Sequence, residues 1–231
     1  MNEEAPDKPH YIGHRHRLRD RLLEKGPESL ADYELLELLL AMALPRIDVK
    51  PLAKTLIKEF GSFAGAIAAE PAELAKIKGM GDGAVAGLKT VRAAALLMTK
   101  QELLRQPVIA NWQKLLDYCR ISLAEEKTEQ FHLLFLDHKN ALIAHERQQK
   151  GTVDHAPVYP REVVKRALEL SASAIIMLHN HPSGDPTPSK DDVAMTKAVA
   201  AAAEKLGILL HDHVVVGRKG HASLRSLGLL T

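Results

Sequence analysis

An all-α module followed by an α/β domain is the architecture this sequence predicts, and three observations predict it. Apolar residues recur at helical spacing from about Ser29 to Lys100, as in Leu35, Leu36, Leu39 and Leu40, then Leu52, Leu56, Ile57 and Phe60. After Gln106-Pro107 the pattern changes to short apolar runs of strand length. One of these, Ala174-Ile175-Ile176-Met177-Leu178, is continuous and reads as a central strand buried on both faces. Helical segments stand between these runs. With 231 residues and 46% hydrophobic content the chain can bury a sizeable core, and the change of pattern divides it into residues 1–106 and 107–231.

The opening MNEEAPDKPH is polar and acidic, with no apolar run behind it to act as a signal peptide. No stretch approaches the roughly 20 apolar residues of a membrane span, so a soluble cytoplasmic protein without a membrane partner is expected. The segment GHRHRLRDRL carries Arg15, Arg17, Arg19 and Arg21, the densest positive run. A phosphate grip and a solvated helix face, with Asp20 and Glu24 among the arginines, explain it equally. Pro45, Gly61, Pro71 and Gly79-Met80-Gly81 then punctuate the helical stretch into four or five helices. Ile77-Lys78-Gly79-Met80-Gly81, followed by Ala84-Val85-Ala86-Gly87-Leu88, resembles the second half of a helix-hairpin-helix DNA-binding motif. On that resemblance Lys78, Gly79 and Gly81 would meet a DNA phosphate, with Lys76 and Lys89 nearby. A tight helix connection with surface lysines is the alternative.

In the second half, Trp112 to Leu123 reads as a helix, Phe131 to Leu136 and Leu142 to Ala144 as strands, and Asp137 to Asn140 as the turn between them. A helix from Arg161 to Leu170 follows Pro160, an alanine-rich helix from Lys190 to Leu206 stops at Gly207, and His213 to Val216 makes a further strand.

Charge and cysteine content narrow the chemistry. A net charge of +2, left by 31 basic and 29 acidic residues, gives no global reason to bind nucleic acid or membrane. Cys119 is the only cysteine, which excludes an internal disulfide and any zinc site built on two thiolates. Histidine and carboxylate must hold any metal.

The stretch HNHPSGDPTPSKDD, residues 179–192, supplies both. In extended backbone His179 and His181 point to the same side and can reach one ion. Asp192 opens a helix after a loop long enough to fold back over the strand end, and two nitrogens with one carboxylate oxygen plus water make an open zinc site. Yet Ser189-Lys190-Asp191-Asp192 is also a capping box, in which Asp192 serves only its helix. Spacing alone does not choose.

The order His179-x-His181, seven residues, Ser189, two residues, Asp192 resembles the His-x-His-x7-Ser-x2-Asp pattern of the JAMM (MPN-type) metalloproteases. HNHPSGDPTPS itself, GTV at Gly151, PREV at Pro160, LHDH near the C-terminus and the GHRHRLRDRL opening resemble one branch, the RadC family. The likeness runs from about Tyr11 to Leu230. It implies a JAMM fold related to cytidine deaminases, one zinc held by His179, His181 and Asp192, and hydrolysis of a peptide or isopeptide bond in a protein substrate. The cysteine-rich deaminase signature and the His-Glu-x-x-His helix are both absent. Asn180 departs from the Ser or Thr of deubiquitinating JAMM enzymes.

JAMM enzymes also place a base on an early strand. Glu129, just before FHLLFLD, holds the matching place, and Glu162 in the first turn of a helix is the rival. Ser189 would then steady the oxyanion. His211, Asp212 and His213 repeat the histidine spacing without a following carboxylate, which favours a structural or supporting role. The family's repair label implies the other reading, a DNA-repair accessory whose JAMM domain is a scaffold.

Overall fold

The computed structural model describes residues 13–104, 107–150 and 158–230, so the Gly151-Thr152-Val153 motif lies outside the described residues. Two compact units, Met1–Val91 and Arg92–Thr231, make up the chain.

The first unit is helical: α1 (His14–Lys25), α2 (Asp32–Ala43), α3 (Lys50–Phe60), α4 (Phe63–Ala68), α5 (Pro71–Leu74) and the start of α6 (Asp82–Leu104). Helices this short are not stable alone, and what holds them is a shared core. Leu36 and Leu40 of α2, Leu56 of α3, Ala66 of α4, Leu74 of α5 and Leu88 of α6 meet in it. The break at 106/107 expected from the sequence is not where the units divide. After Gly87 nothing in α6 interrupts the helix, and its later residues Leu96 and Leu103 pack into the second unit's core. The division therefore falls inside α6.

The second unit holds a mixed five-stranded sheet in the order β2-β1-β3-β4-β5. Its strands are β1 (Gln130–Leu136), β2 (Leu142–Lys150), β3 (Ala174–Asn180), β4 (Leu209–Gly217) and β5 (Gly220–Ser223). Only β3 and β4 run parallel. Helix α7 (Trp112–Leu123) covers one face, while α8 (Pro160–Glu169) and α9 (Lys190–Glu204) cover the other. Strand alternation fills both cores: Ile175 and Met177 of β3 join Phe131 and Val215, and Ile176 and Leu178 join Leu115 and Val214. This is the two-sided strand its composition predicts. Strand β2 continues six residues past Ala144, through the polar His145–Lys150, because pairing with β1 extends it where hydropathy gives no signal. The short strand GHAS is likewise invisible to an apolar-run reading.

Candidate metal centre

His179 sits at the end of β3, opposite Phe131 on one side and Val215 on the other. Its ring faces the α8 and α9 layer and is 1% exposed. Beyond it the chain turns tightly. The amide of His181 donates to Val216 O at 2.9 Å, and that of Gly184 donates to His181 O at 2.9 Å. Gly184 lies at φ +86°, and a Cβ at Gly217 would stand 2.4 Å from Gly184 O, so the two backbones pass in contact. Side chains are sterically excluded there. The loop thereby returns to Ser189, which caps α9 by accepting from the Asp192 amide at 3.1 Å.

Cap and cluster prove compatible because a carboxylate has two oxygens. Asp192 Oδ2 closes the capping box, accepting from the Ser189 amide at 2.7 Å and from its hydroxyl at 2.6 Å. The same carboxylate lies 3.3 Å from His179 Nε2 through Oδ1 and 3.5 Å from His181 Nε2 through Oδ2. The two Nε2 atoms are 2.9 Å apart. Tetrahedral zinc with bonds of about 2.0–2.1 Å sets neighbouring ligand atoms roughly 3.3 Å apart, so these separations suit it.

The donor chemistry agrees. His181 Nδ1 faces the Asp185 carbonyl at 2.9 Å, and a carbonyl only accepts, so Nδ1 carries the proton and Nε2 of the neutral ring is bare. His179 turns Nδ1 to His213 Nε2 at 2.7 Å, which leaves its own Nε2 toward Asp192. Two imidazole nitrogens and a carboxylate thus converge around a point that calls for a cation. Burial pushes the Asp192 carboxyl up, but hydrogen bonds with His179 and His181 outweigh it and hold the group well below the usual carboxylate range. His181 is raised, first by its bond to Asp192, against the opposing effect of burial, with the charge of Glu129 adding.

Glu129 precedes β1, half-buried, and its charge is felt at His181. Its position is fixed by a residue whose role spacing does not reveal. Asn180, fully buried between the two histidines, accepts from the Gln130 amide at 2.9 Å and donates to Glu126 O and Thr128 O at 3.2 Å each. One carboxamide therefore grips the backbone on both sides of Glu129. Neither Ser nor Thr offers an acceptor and two donors at that reach. Glu162 is elsewhere, in the first turn of α8, exposed and paired with Arg161 at 3.1 Å.

The remaining sequence expectations separate. His213 is fully buried against His179, whereas Asp212 accepts from the His213 and Arg225 amides and from Ser223, fixing the sheet's far strands. His211 Nε2 meets Asn140 Oδ1 of the β1–β2 turn at 2.6 Å. In the helical unit Lys78 and Gly79 are exposed, Gly79 at φ +98°, and Gly81 precedes α6, whose first turn carries the anionic Asp82. Lys89 does not join that turn, because its ammonium takes the Ile67 and Ala68 carbonyls at 3.0 Å. Arg15 donates to Pro45 O and Ile47 O, and Arg21 pairs with Glu34 at 2.5 Å, so half of the four-arginine run holds its own unit together.

Comparison with known proteins agrees with this geometry. The family described as RadC-like JAB domain matches residues 109–229, and the UPF0758 N-terminal family matches residues 11–86. A UPF0758 protein of Rhodobacter capsulatus is 58% identical over 213 residues, covering 92% of this chain and 100% of the relative. Among the described residues, no helix is long and apolar enough to cross a membrane.

Proposed function

The chain belongs to the RadC-like JAB-domain family, and from that premise we propose that it is a zinc-dependent metallohydrolase acting on a peptide or isopeptide bond. One observation carries the reading. His179 Nε2, His181 Nε2 and the Asp192 carboxylate all lie within 4.8 Å of one another, with the far side of each imidazole already occupied. The mixed sheet between α7 and the α8–α9 pair agrees with the deaminase-related JAMM architecture.

His179, His181 and Asp192 would hold the zinc, which when bound would supply a water of pKa lowered toward about 7 and a Lewis acid for the scissile carbonyl. Glu129 takes the proton of the attacking water and passes it to the leaving amine, a role its placement beside His181 suits. Ser189, exposed at the rim, donates its single hydroxyl proton to Asp192 Oδ2, and it would serve the oxyanion by turning that proton away from the carboxylate. Asn180 keeps Glu129 in place, and Gly184 against Gly217 keeps His181 in place.

The test is metal analysis of purified full-length protein joined to a peptide-library cleavage assay. About one zinc per chain and cleavage that stops on chelation are expected; a protein that carries no stoichiometric metal would sink the reading. A second reading, nucleic-acid binding by the helical unit, draws on the exposed Lys78–Gly79 turn. It predicts duplex-DNA binding that weakens steeply with salt and is indifferent to Asp192→Ala.

A further inference from the structure

A histidine binds zinc only through a nitrogen that carries no proton, so the tautomer of His179 decides whether the cluster is a site at all. The contact between His179 Nδ1 and His213 Nε2 does not settle this by itself. Either ring can donate to the other. If His213 donated, His179 Nδ1 would be the bare nitrogen, and its Nε2–H would point a proton at Asp192 and His181.

The choice is made one residue further on. Thr196 is fully buried in α9, and its hydroxyl touches two groups: the Asp192 carbonyl at 2.5 Å and His213 Nδ1 at 2.6 Å. A carbonyl only accepts, so the single hydroxyl proton of Thr196 goes to Asp192 O. Toward His213 the hydroxyl has only a lone pair left, and His213 Nδ1 must donate to it. His213 Nε2 is then bare and accepts from His179 Nδ1–H, which leaves His179 Nε2 bare and facing the cluster.

We infer that Thr196 and His213 are positioning residues that fix His179 in its metal-binding tautomer. The relay starts at the backbone of Asp192, so one turn of α9 both presents the carboxylate and sets the imidazole facing it. Resting on the proposed zinc reading for its purpose, the inference has a readout that needs no metal.

The experiment uses full-length protein with 15N-labelled histidine, metal-free at pH 8, beside zinc affinity from chelator competition. In the parent protein the His179 signals should report a protonated Nδ1 and a bare Nε2. Thr196→Val keeps the side-chain shape but removes the acceptor, and should give a mixture of tautomers and zinc binding weakened about 10- to 100-fold. Thr196→Ser restores the hydroxyl and should restore both, at unchanged melting temperature, which a mere packing role for Thr196 does not predict. A parent protein with its proton on His179 Nε2, or a Thr196→Val variant with unaltered tautomer and zinc affinity, would overturn the inference. A parent that takes no zinc, yet whose His179 tautomer shifts in Thr196→Val, upholds the relay and removes the zinc reading instead.

Discussion

Two buried histidine clusters lie on opposite faces of the same sheet, and they end in opposite chemistry. On the α7 face, Tyr118 Oη meets His145 Nδ1 at 2.5 Å, His145 Nε2 meets His132 Nδ1 at 2.9 Å, and His132 Nε2 meets Gln130 Oε1 at 3.3 Å. Gln130 in turn donates to Glu126 at 2.7 Å, and Glu126 is paired with Arg92. Every ring nitrogen has one partner, and the donors run head to tail from the tyrosine hydroxyl through His145 and His132 to the Gln130 carbonyl, so each neutral imidazole has its one lone pair filled. On the α9 face the bonds run outward, to the Asp185 carbonyl and to His213, and the bare nitrogens meet over a carboxylate. Residue type and burial are shared. The direction of the hydrogen bonds distinguishes a satisfied core from a cluster with nitrogens free to take a cation.

The largest expected effect tests that distinction directly. Asp192→Ala and His179→Ala should abolish zinc binding, measured as metal per chain after gel filtration, because each removes one of the three donors that converge among the described residues. His132→Gln should leave it at about one per chain. If both cluster variants kept stoichiometric zinc, or if His132→Gln lost it, the two faces would have been read the wrong way round.

A smaller effect separates the glutamates. Glu129→Gln should keep fold and zinc while lowering hydrolysis of any substrate found by about 100- to 10,000-fold, the usual contribution of a positioned acid–base group. Glu162→Gln should be almost silent, since an exposed carboxylate at a helix start contributes at most about 1 kcal/mol. An inactive Glu162→Gln beside an active Glu129→Gln would transfer the base to α8. Asn180→Ser should resemble a milder Glu129→Gln, because it frees the backbone around the glutamate without touching the cluster.

The sequence made the candidate ligands legible because the His-x-His spacing on a strand and the Ser–Asp box at a helix start are local patterns, each set by a few neighbouring residues. Helix α7 and strand β3 were legible for the same reason, as uninterrupted periodic or apolar runs. What it withheld depends on long-range pairing. Asn180 reaches 50 residues back to Gln130, and Thr196 reaches 17 forward to His213. The continuation of β2 through His145–Lys150 depends on its ladder with β1. In the sequence the capping box leaves the Asp192 carboxylate less freedom to bind a metal, whereas the placed carboxylate closes the box and still faces both histidines.

The smallest effect concerns the satisfied face and is read in stability rather than metal. Burial, with His145 and Arg147 adding, lowers His132 to about 3, and burial with Lys100 lowers His145 to about 4. Both lie below the 6.5 of a free histidine, so between pH 6.5 and about 4 the unfolded chain binds protons that the native rings refuse. Their contribution is therefore complete above pH 6.5 and is lost as pH falls, at no more than about 1.4 kcal/mol per pH unit for each ring. Urea unfolding with a chelator present, to remove any metal linkage from the other face, should show the parent losing roughly 2 kcal/mol or more between pH 6.5 and pH 5. The double variant His132→Gln/His145→Gln should lose clearly less over the same interval, even if it is less stable at pH 7. Equal losses in the two proteins would mean that these rings take up protons in the folded state, and the head-to-tail chain would no longer set this face apart from the proposed metal centre.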